Sequence, residues 1–233
     1  MHAIAGALYL PGMPADAAVV IMARYPRAGA VKTRLAREIG DEAAAAVYRA
    51  FLHDLRDRLS DDPEWDLWWA YDPPGSPFVP DVVPGGRAFP QSRGDLGERM
   101  RAAFEAAFGR GYRTVALVGS DLPHLTRERV REACRYDSGR ITIGPAEDGG
   151  YYLIAGSTVP PVFDAIEWGQ DDVLDRTLMR LRRSECAFRL LPADYDVDDV
   201  HDLRRLALDL AAGLGPELPH TRAALALVGG VGR

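Results

Sequence analysis

Short apolar, β-branched runs recur along the chain, and stripes of helical spacing lie between them. Val19–Ala23 opens the series, followed by Trp65–Tyr71, Arg113–Gly119, Arg140–Ala146, Tyr151–Ala155 and Ala187–Leu191. Runs this continuous predict strands covered on both faces. Arg87–Pro90 adds a shorter one. Between them, Leu35 and Ile39 share one face of a helix that carries Lys32, Arg34 and Arg37 on its others. Asp41–Leu59 repeats Ala43, Ala46, Val47, Ala50, Phe51, Leu55 and Leu59, with Asp41 as N-cap. Further helices are expected from Asp95 to about Gly109, from Thr126, over 171–184 with an inner stripe of Val173, Leu174, Leu178 and Leu181, and from Asp199 to about Ala212. This alternation predicts an α/β domain.

The chain has 233 residues, of which 47% are hydrophobic, so one core is enough. A flexible leader is expected over 1–16, the domain over 17–212 and a C-terminal extension over 213–233. Residues 72–86 hold five prolines and three glycines and read as an irregular excursion where mobility would concentrate. The formal charge of −6 speaks against a nucleic-acid partner, which requires a broad basic face. Cys134 and Cys186 lack metal or disulfide spacing and read as buried free thiols. The sequence shows neither a signal peptide nor a run long enough to span a membrane, and a cytoplasmic location is expected.

Against this acidic background, Arg24, Arg27, Lys32 and Arg34 crowd into the turn after the first strand. Such a strand–loop–helix presents backbone N–H groups and positive charge at the strand's carboxyl edge, which suits a phosphate. A solvated basic turn accounts for the same residues. Gly29-Ala-Val-Lys32-Thr33 lacks P-loop spacing and no G-x-G-x-x-G follows, so neither a P-loop enzyme nor a nicotinamide dehydrogenase is indicated. Asp121 lies directly beyond a central strand, where a hard divalent cation could sit on it. Gly94 and Gly97 flank a helix start and would admit a flat ring, and Gln91 could read a base edge; a capped helix start explains these letters too. Glu147-Asp148-Gly149-Gly150 is either a hairpin turn or an acceptor-facing edge. In Asp196-Val197-Asp198, alternation puts both carboxylates on one side, while Asp199 and Asp202 fit N-cap and N3.

Taken together, Ala23–Leu35, Gly94–Met100, Gly119–Pro123 and Pro145–Leu153, with Tyr195–Asp198 and Asp202-Leu203, resemble the rSAM/selenodomain-associated transferases of the nucleotide-diphospho-sugar transferase (GT-A) superfamily. The Lys32–Leu35 turn is also similar to that of 2-phospho-L-lactate guanylyltransferase, and the Asp198–Leu203 ending resembles that of molybdenum-cofactor guanylyltransferases. The chain departs from the family pattern after Trp168, with Gly169-Gln170 in place of Ser-Thr.

The resemblance implies a three-layer GT-A (Rossmann-like) fold with a mixed, mostly parallel sheet. It implies a nucleotide over Ala23, Arg24, Gly29, Lys32, Arg34, Gln91, Gly94 and Gly97, and Mg²⁺ (or Mn²⁺) on Asp121, Asp198 and Asp196. An acceptor would lie against Asp148, Gly149 and Gly150. Lys32, Arg24 and Asp121 would carry catalysis. The activity expected is nucleotidyl transfer from an NTP to a small phosphorylated or acidic acceptor, with release of pyrophosphate. Glycosyl transfer from an NDP-sugar and an inactive nucleotide-binding module are the alternatives. The partners implied are the nucleotide and a small-molecule acceptor, with no nucleic acid and no membrane, and an oligomer is compatible with the sequence.

Overall fold

The computed structural model describes residues 15–135, 139–164 and 168–228. The leader expected over 1–16 lies almost wholly outside them. Seven strands form one sheet: β1 (Ala17–Arg24), β2 (Trp65–Asp72), β3 (Arg87–Pro90), β4 (Thr114–Gly119), β5 (Arg140–Pro145), β6 (Tyr151–Gly156) and β7 (Ala187–Leu190), in the order β3-β2-β1-β4-β6-β5-β7. β1 runs parallel to both β2 and β4, and β3 parallel to β2. β6 runs antiparallel to both β4 and β5, and β7 extends the sheet parallel to β5. The mixed, mostly parallel sheet expected is the one observed.

Period-two alternation along β1 divides the interior into two layers. Val19, Ile21 and Ala23 face a core built with α1 (Thr33–Ile39), α2 (Asp41–Leu59), α3 (Phe78–Val82), α5 (Arg127–Cys134), α7 (Val200–Ala211) and α8 (Pro219–Val228). Ala18 and Val20 face the other, against α4 (Leu96–Phe108) and α6 (Val173–Arg183). Sheet and helices thus make three layers, and the carboxyl ends of β1 and β4 open at the same edge.

Local details differ from the sequence reading for physical reasons. Gly40, in the left-handed region, occupies the N-cap of α2, so Asp41 is the first helical residue. Ala46 faces solvent, and Tyr48 takes a buried place in the stripe instead. The 72–86 stretch is anchored by α3: Phe78 and Val82 are fully buried and Phe78 stacks on Tyr71. Two such side chains contribute about 1.5–3 kcal/mol each, which favours a docked segment over a free one. Cys134 is buried but Cys186 is only half-buried. Residues beyond 212 contain α8, whose first turn is held by buried Asp54: the carboxylate accepts from His220 N, Thr221 N and Thr221 Oγ1 at 3.1, 2.8 and 2.6 Å.

Candidate active site

Beyond β1 the chain turns tightly, with Arg27 N donating to Tyr25 O and Ala30 N to Arg27 O. It reaches Lys32, the N-cap of α1, in the left-handed region at φ 46° and ψ 45°. That conformation is unusual for a residue with a Cβ and must be held by its surroundings. Here the side chain supplies the hold. It is 4% exposed, and its Nζ pairs with Asp121 and with Asp198 Oδ1, the latter at 2.8 Å. The Tyr48 and Phe51 rings lie 5.7 and 5.9 Å from the ammonium. Burial alone would lower the Lys32 pKa, but the charges of Asp121 and Asp198 and the bonds to both raise it above the ordinary lysine range. The two carboxylates thus favour the charged ammonium. α1 has only seven residues, so the positive charge here comes from side chains and owes little to a helix dipole.

The two acids reach Lys32 from separate segments. Asp121 follows β4, and its carbonyl accepts from Val197 N at 2.8 Å. Val197 is fully buried, so alternation directs the flanking Asp196 and Asp198 away from the core. The next residues terminate the extended run with the capping box expected. Asp199 accepts from His201 N and Asp202 N, and Asp202 accepts from Asp198 N and Asp199 N. The side chains of Asp121 and Asp198 are 42% and 39% exposed, so both reach an incoming ligand from a buried cation.

Two clefts meet at this point and share Met22, Leu96, Ser120 and Asp121. The first, of about 400 Å³, is basic: Arg24, Lys32, Arg34 and Arg99 line it with Asp198. The second, of about 460 Å³, has walls that include Met100, Tyr151, Trp168 and Gln170, with Asp148, Asp171 and Asp196 among them.

Asp121, Asp198, Lys32, Arg24, Arg34 and Ala23 therefore gather as the sequence suggests, with Asp196 and Asp148 across the shared wall. Arg34 also pairs with Asp199 at 2.7 Å. Gly29 makes the left-handed turn before Lys32. Gly150 donates to Asp148 Oδ1 at 2.9 Å, which orients that carboxylate.

Several residues do something other than expected. Gln91 lines the basic cleft but is committed to the protein. Its Nε2 donates to Ala23 O and Ala70 O at 3.2 and 2.8 Å, and its Oε1 accepts from Arg99 at 3.1 Å. Reading a base would break these bonds. Gly94 adopts φ 114°, where a Cβ would collide with the Glu98 carboxylate that closes the capping box on Asp95. Gly97 is covered by the Phe163 carbonyl and the Trp168 indole, leaving no room for a Cβ or a ring. Gly149 serves close packing: it lies against the Asp171 carbonyl, and its own carbonyl accepts from Leu174 N at 2.8 Å. Tyr48, Arg99 and Ser120 were not singled out from the sequence. Arg99, four residues after Asp95 on one helix, was detectable by spacing. Tyr48, whose hydroxyl contacts Ser120 Oγ at 2.8 Å and accepts from Arg24 N, was not.

Asp121, Asp196 and Asp198 offer the carboxylate oxygens that a hard divalent cation takes. Asp196, which has no ion pair among the described residues, is pushed up to about 8 by burial and then by the charges of Asp121, Asp148 and Asp198, with Lys32 opposing. Crowded carboxyl groups that hold a proton until a cation joins them offer the oxygen ligands that Mg²⁺ and Mn²⁺ prefer. Among the described residues, no group of three or more histidine, cysteine, aspartate or glutamate side chains is arranged to hold a metal ion. Also among them, no helix is long and apolar enough to cross a membrane.

The mixed, mostly parallel sheet with β6 reversed and helices on both faces is an α/β, Rossmann-like fold, with the cationic first loop and the acids beyond β4 and β7 brought together. A "putative nucleotide-diphospho-sugar transferase" from Desulfovibrio desulfuricans G20 is similar throughout, with 36% identity over 92% of this chain and 97% of that one and a TM-score of 0.80. The chain belongs to the family of that protein, among the nucleotide-diphospho-sugar transferases. A family model described as "Uncharacterized protein conserved in bacteria (DUF2064)" matches residues 55–170. More distant likenesses concern the fold alone. They include a cytidylyltransferase from Leptospira borgpetersenii (11% identity, 92% and 94% coverage, TM-score 0.55). A 4-diphosphocytidyl-2C-methyl-D-erythritol synthase from Anaerococcus prevotii is another (12% identity, 84% and 97% coverage, TM-score 0.53). None of the proteins with curated functions matches the sequence.

Proposed function

We propose that the protein transfers a nucleotidyl group from an NTP to a small acceptor and releases pyrophosphate. The observation that carries this reading is the meeting of Asp121 and Asp198 on the buried Lys32 ammonium inside a cleft that Arg24, Arg34 and Arg99 also line. So many cations suit a polyphosphate tail better than a single phosphate.

Catalysis of this kind is mostly positioning and charge neutralisation. Lys32 and Arg24 stabilise the charge that develops on the departing pyrophosphate. Lys32 also keeps Asp121 and Asp198 together before a ligand arrives. Asp121 and Asp198, with Asp196 beside them, would hold Mg²⁺ or Mn²⁺, which when bound neutralises phosphate oxygens. The acceptor lies in the second cleft, next to Asp148, so that its oxygen approaches the α-phosphorus across the shared wall at Ser120 and Asp121.

Incubation with each NTP and Mg²⁺, followed by a pyrophosphate assay, tests the reading. Pyrophosphate formation that depends on an acceptor supports it. Release of NDP from an NDP-sugar without pyrophosphate from any NTP supports glycosyl transfer instead. That second reading is favoured by the name of the Desulfovibrio relative. Nucleotide binding without either turnover would leave a binding module.

A further inference from the structure

We infer that the acceptor is a cationic alcohol with an apolar body, and not the phosphorylated or acidic compound expected from the sequence. The inference rests on the nucleotidyl-transfer reading and on the second cleft. Among the described residues that line this cavity there is no lysine or arginine, while Asp121, Asp148, Asp171 and Asp196 all do. Even if Asp121 and Asp196 serve a metal, Asp148 and Asp171 have no ion pair among the described residues. A phosphate or carboxylate entering here would meet uncompensated negative charge in a partly enclosed space, where repulsion is poorly screened. An ammonium or a hydroxyl meets the reverse.

The rest of the wall agrees. Met22, Met100, Trp168 and Tyr151 offer apolar and aromatic surface, and aromatic faces attract cations. Gly169 and Gln170 line the same cavity, and Gln170 adds an uncharged amide. The contrast with the neighbouring basic cleft is sharp, and it sorts the reaction's two ends by charge.

The chemistry also differs from that of a phosphate acceptor. A phosphate oxygen attacks already ionised, whereas an alcohol must lose a proton. Here the alcohol oxygen forms a bond to the α-phosphorus. The bond from the α-phosphorus to the α–β bridging oxygen breaks, that oxygen leaves with its electron pair in pyrophosphate, and the hydroxyl proton passes to the Asp148 carboxylate. The Gly150 N–H occupies Asp148 Oδ1, which leaves Oδ2 to accept that proton.

The full chain tests this through Trp168, whose fluorescence is isolated as the difference between wild type and Trp168→Phe, or Trp168→Tyr should the first fail to fold. Tetramethylammonium and inorganic phosphate are titrated separately at constant ionic strength. A saturable Trp168 response to tetramethylammonium, at least about tenfold stronger in affinity than any response to phosphate, is the expected result. An equal or stronger response to phosphate, or none to either ion, overturns the inference. Asp171→Lys, at the exposed rim, should weaken the tetramethylammonium response severalfold, and an unchanged response counts against the assignment. Pyrophosphate binding, followed in parallel by thermal shift, separates the two ideas. Its absence strikes the nucleotidyl reading, while the cavity's charge preference stands or falls on the Trp168 signal.

Discussion

Lys32 Nζ and Asp198 Oδ1 meet at 2.8 Å across 166 residues of chain. The contact joins the first loop of the fold to its last acidic turn, and Asp121 completes it from the middle. Replacing Lys32 with methionine keeps the packing against Tyr48 and Phe51 and removes the charge. The expected loss is about 100- to 1000-fold in the rate of pyrophosphate release, the usual cost of removing one preorganised electrostatic contact. Stability should fall as well, because the left-handed backbone at Lys32 loses the two acids that hold it, although water screens the carboxylates left behind. Steady-state kinetics and urea unfolding measure the two effects, and full activity in the variant would remove Lys32 from the mechanism.

Gln91 should matter for stability and not for base choice. Its amide ties together β1, β2 and α4, and Gln91→Leu leaves two buried carbonyls without their donor. A destabilisation of about 2 kcal/mol is expected. The ranking of ATP, GTP, CTP and UTP as donors or ligands should be unchanged. A reordered ranking would restore the base-reading role suggested by the sequence.

The sheet was legible because its strands are covered on both faces, so β1, β4 and β6 read as unbroken apolar runs. The N-cap at Asp95 and the Asp199–Asp202 cap were legible too, since local hydrogen bonding explains them, whereas the part Glu98 plays in closing a box on Asp95 was not read. The alternation of Asp196 and Asp198 about Val197 held for the same reason. What escaped notice depends on tertiary contact. Prolines around α3 masked Phe78 and Val82 as core anchors, and Gly97 read as open backbone because only the fold lays Trp168 across it. The left-handed backbone of Lys32 has no sequence signal; it persists because two distant acids and two rings grip the side chain.

Asp54 offers a way to separate folding from function. It is 1% exposed, caps the first turn of α8 from within α2 and lines neither cleft. Asp54→Ala removes a cap and leaves the Thr221 donors unpaired, for a cost of about 2 kcal/mol. Chemical unfolding should register that loss while pyrophosphate release at low temperature stays at the wild-type rate.

The two thiols should differ in reactivity with pH. Burial, followed by the charges of Glu64 and Asp62, pushes Cys134 up to about 12, because each disfavours the thiolate. Raising the pH from 7 to 10 should therefore leave Cys134 of the folded protein unmodified by a thiol reagent. Cys186, half-buried, should react under the same conditions. Peptide mapping after alkylation distinguishes them, and Cys134 should label only after denaturant is added. Labelling of native Cys134 at pH 8 would show that the α5 face opens.

The central claim is that Asp121, Asp198 and Lys32 form one centre for a metal-bound polyphosphate. Anomalous scattering from crystals grown with Mn²⁺ and a non-hydrolysable NTP analogue tests it most directly. The account predicts a manganese peak within ligand distance of both Asp121 and Asp198, with the polyphosphate against Lys32 and Arg24. Manganese and nucleotide bound together at any other place on the protein would contradict it.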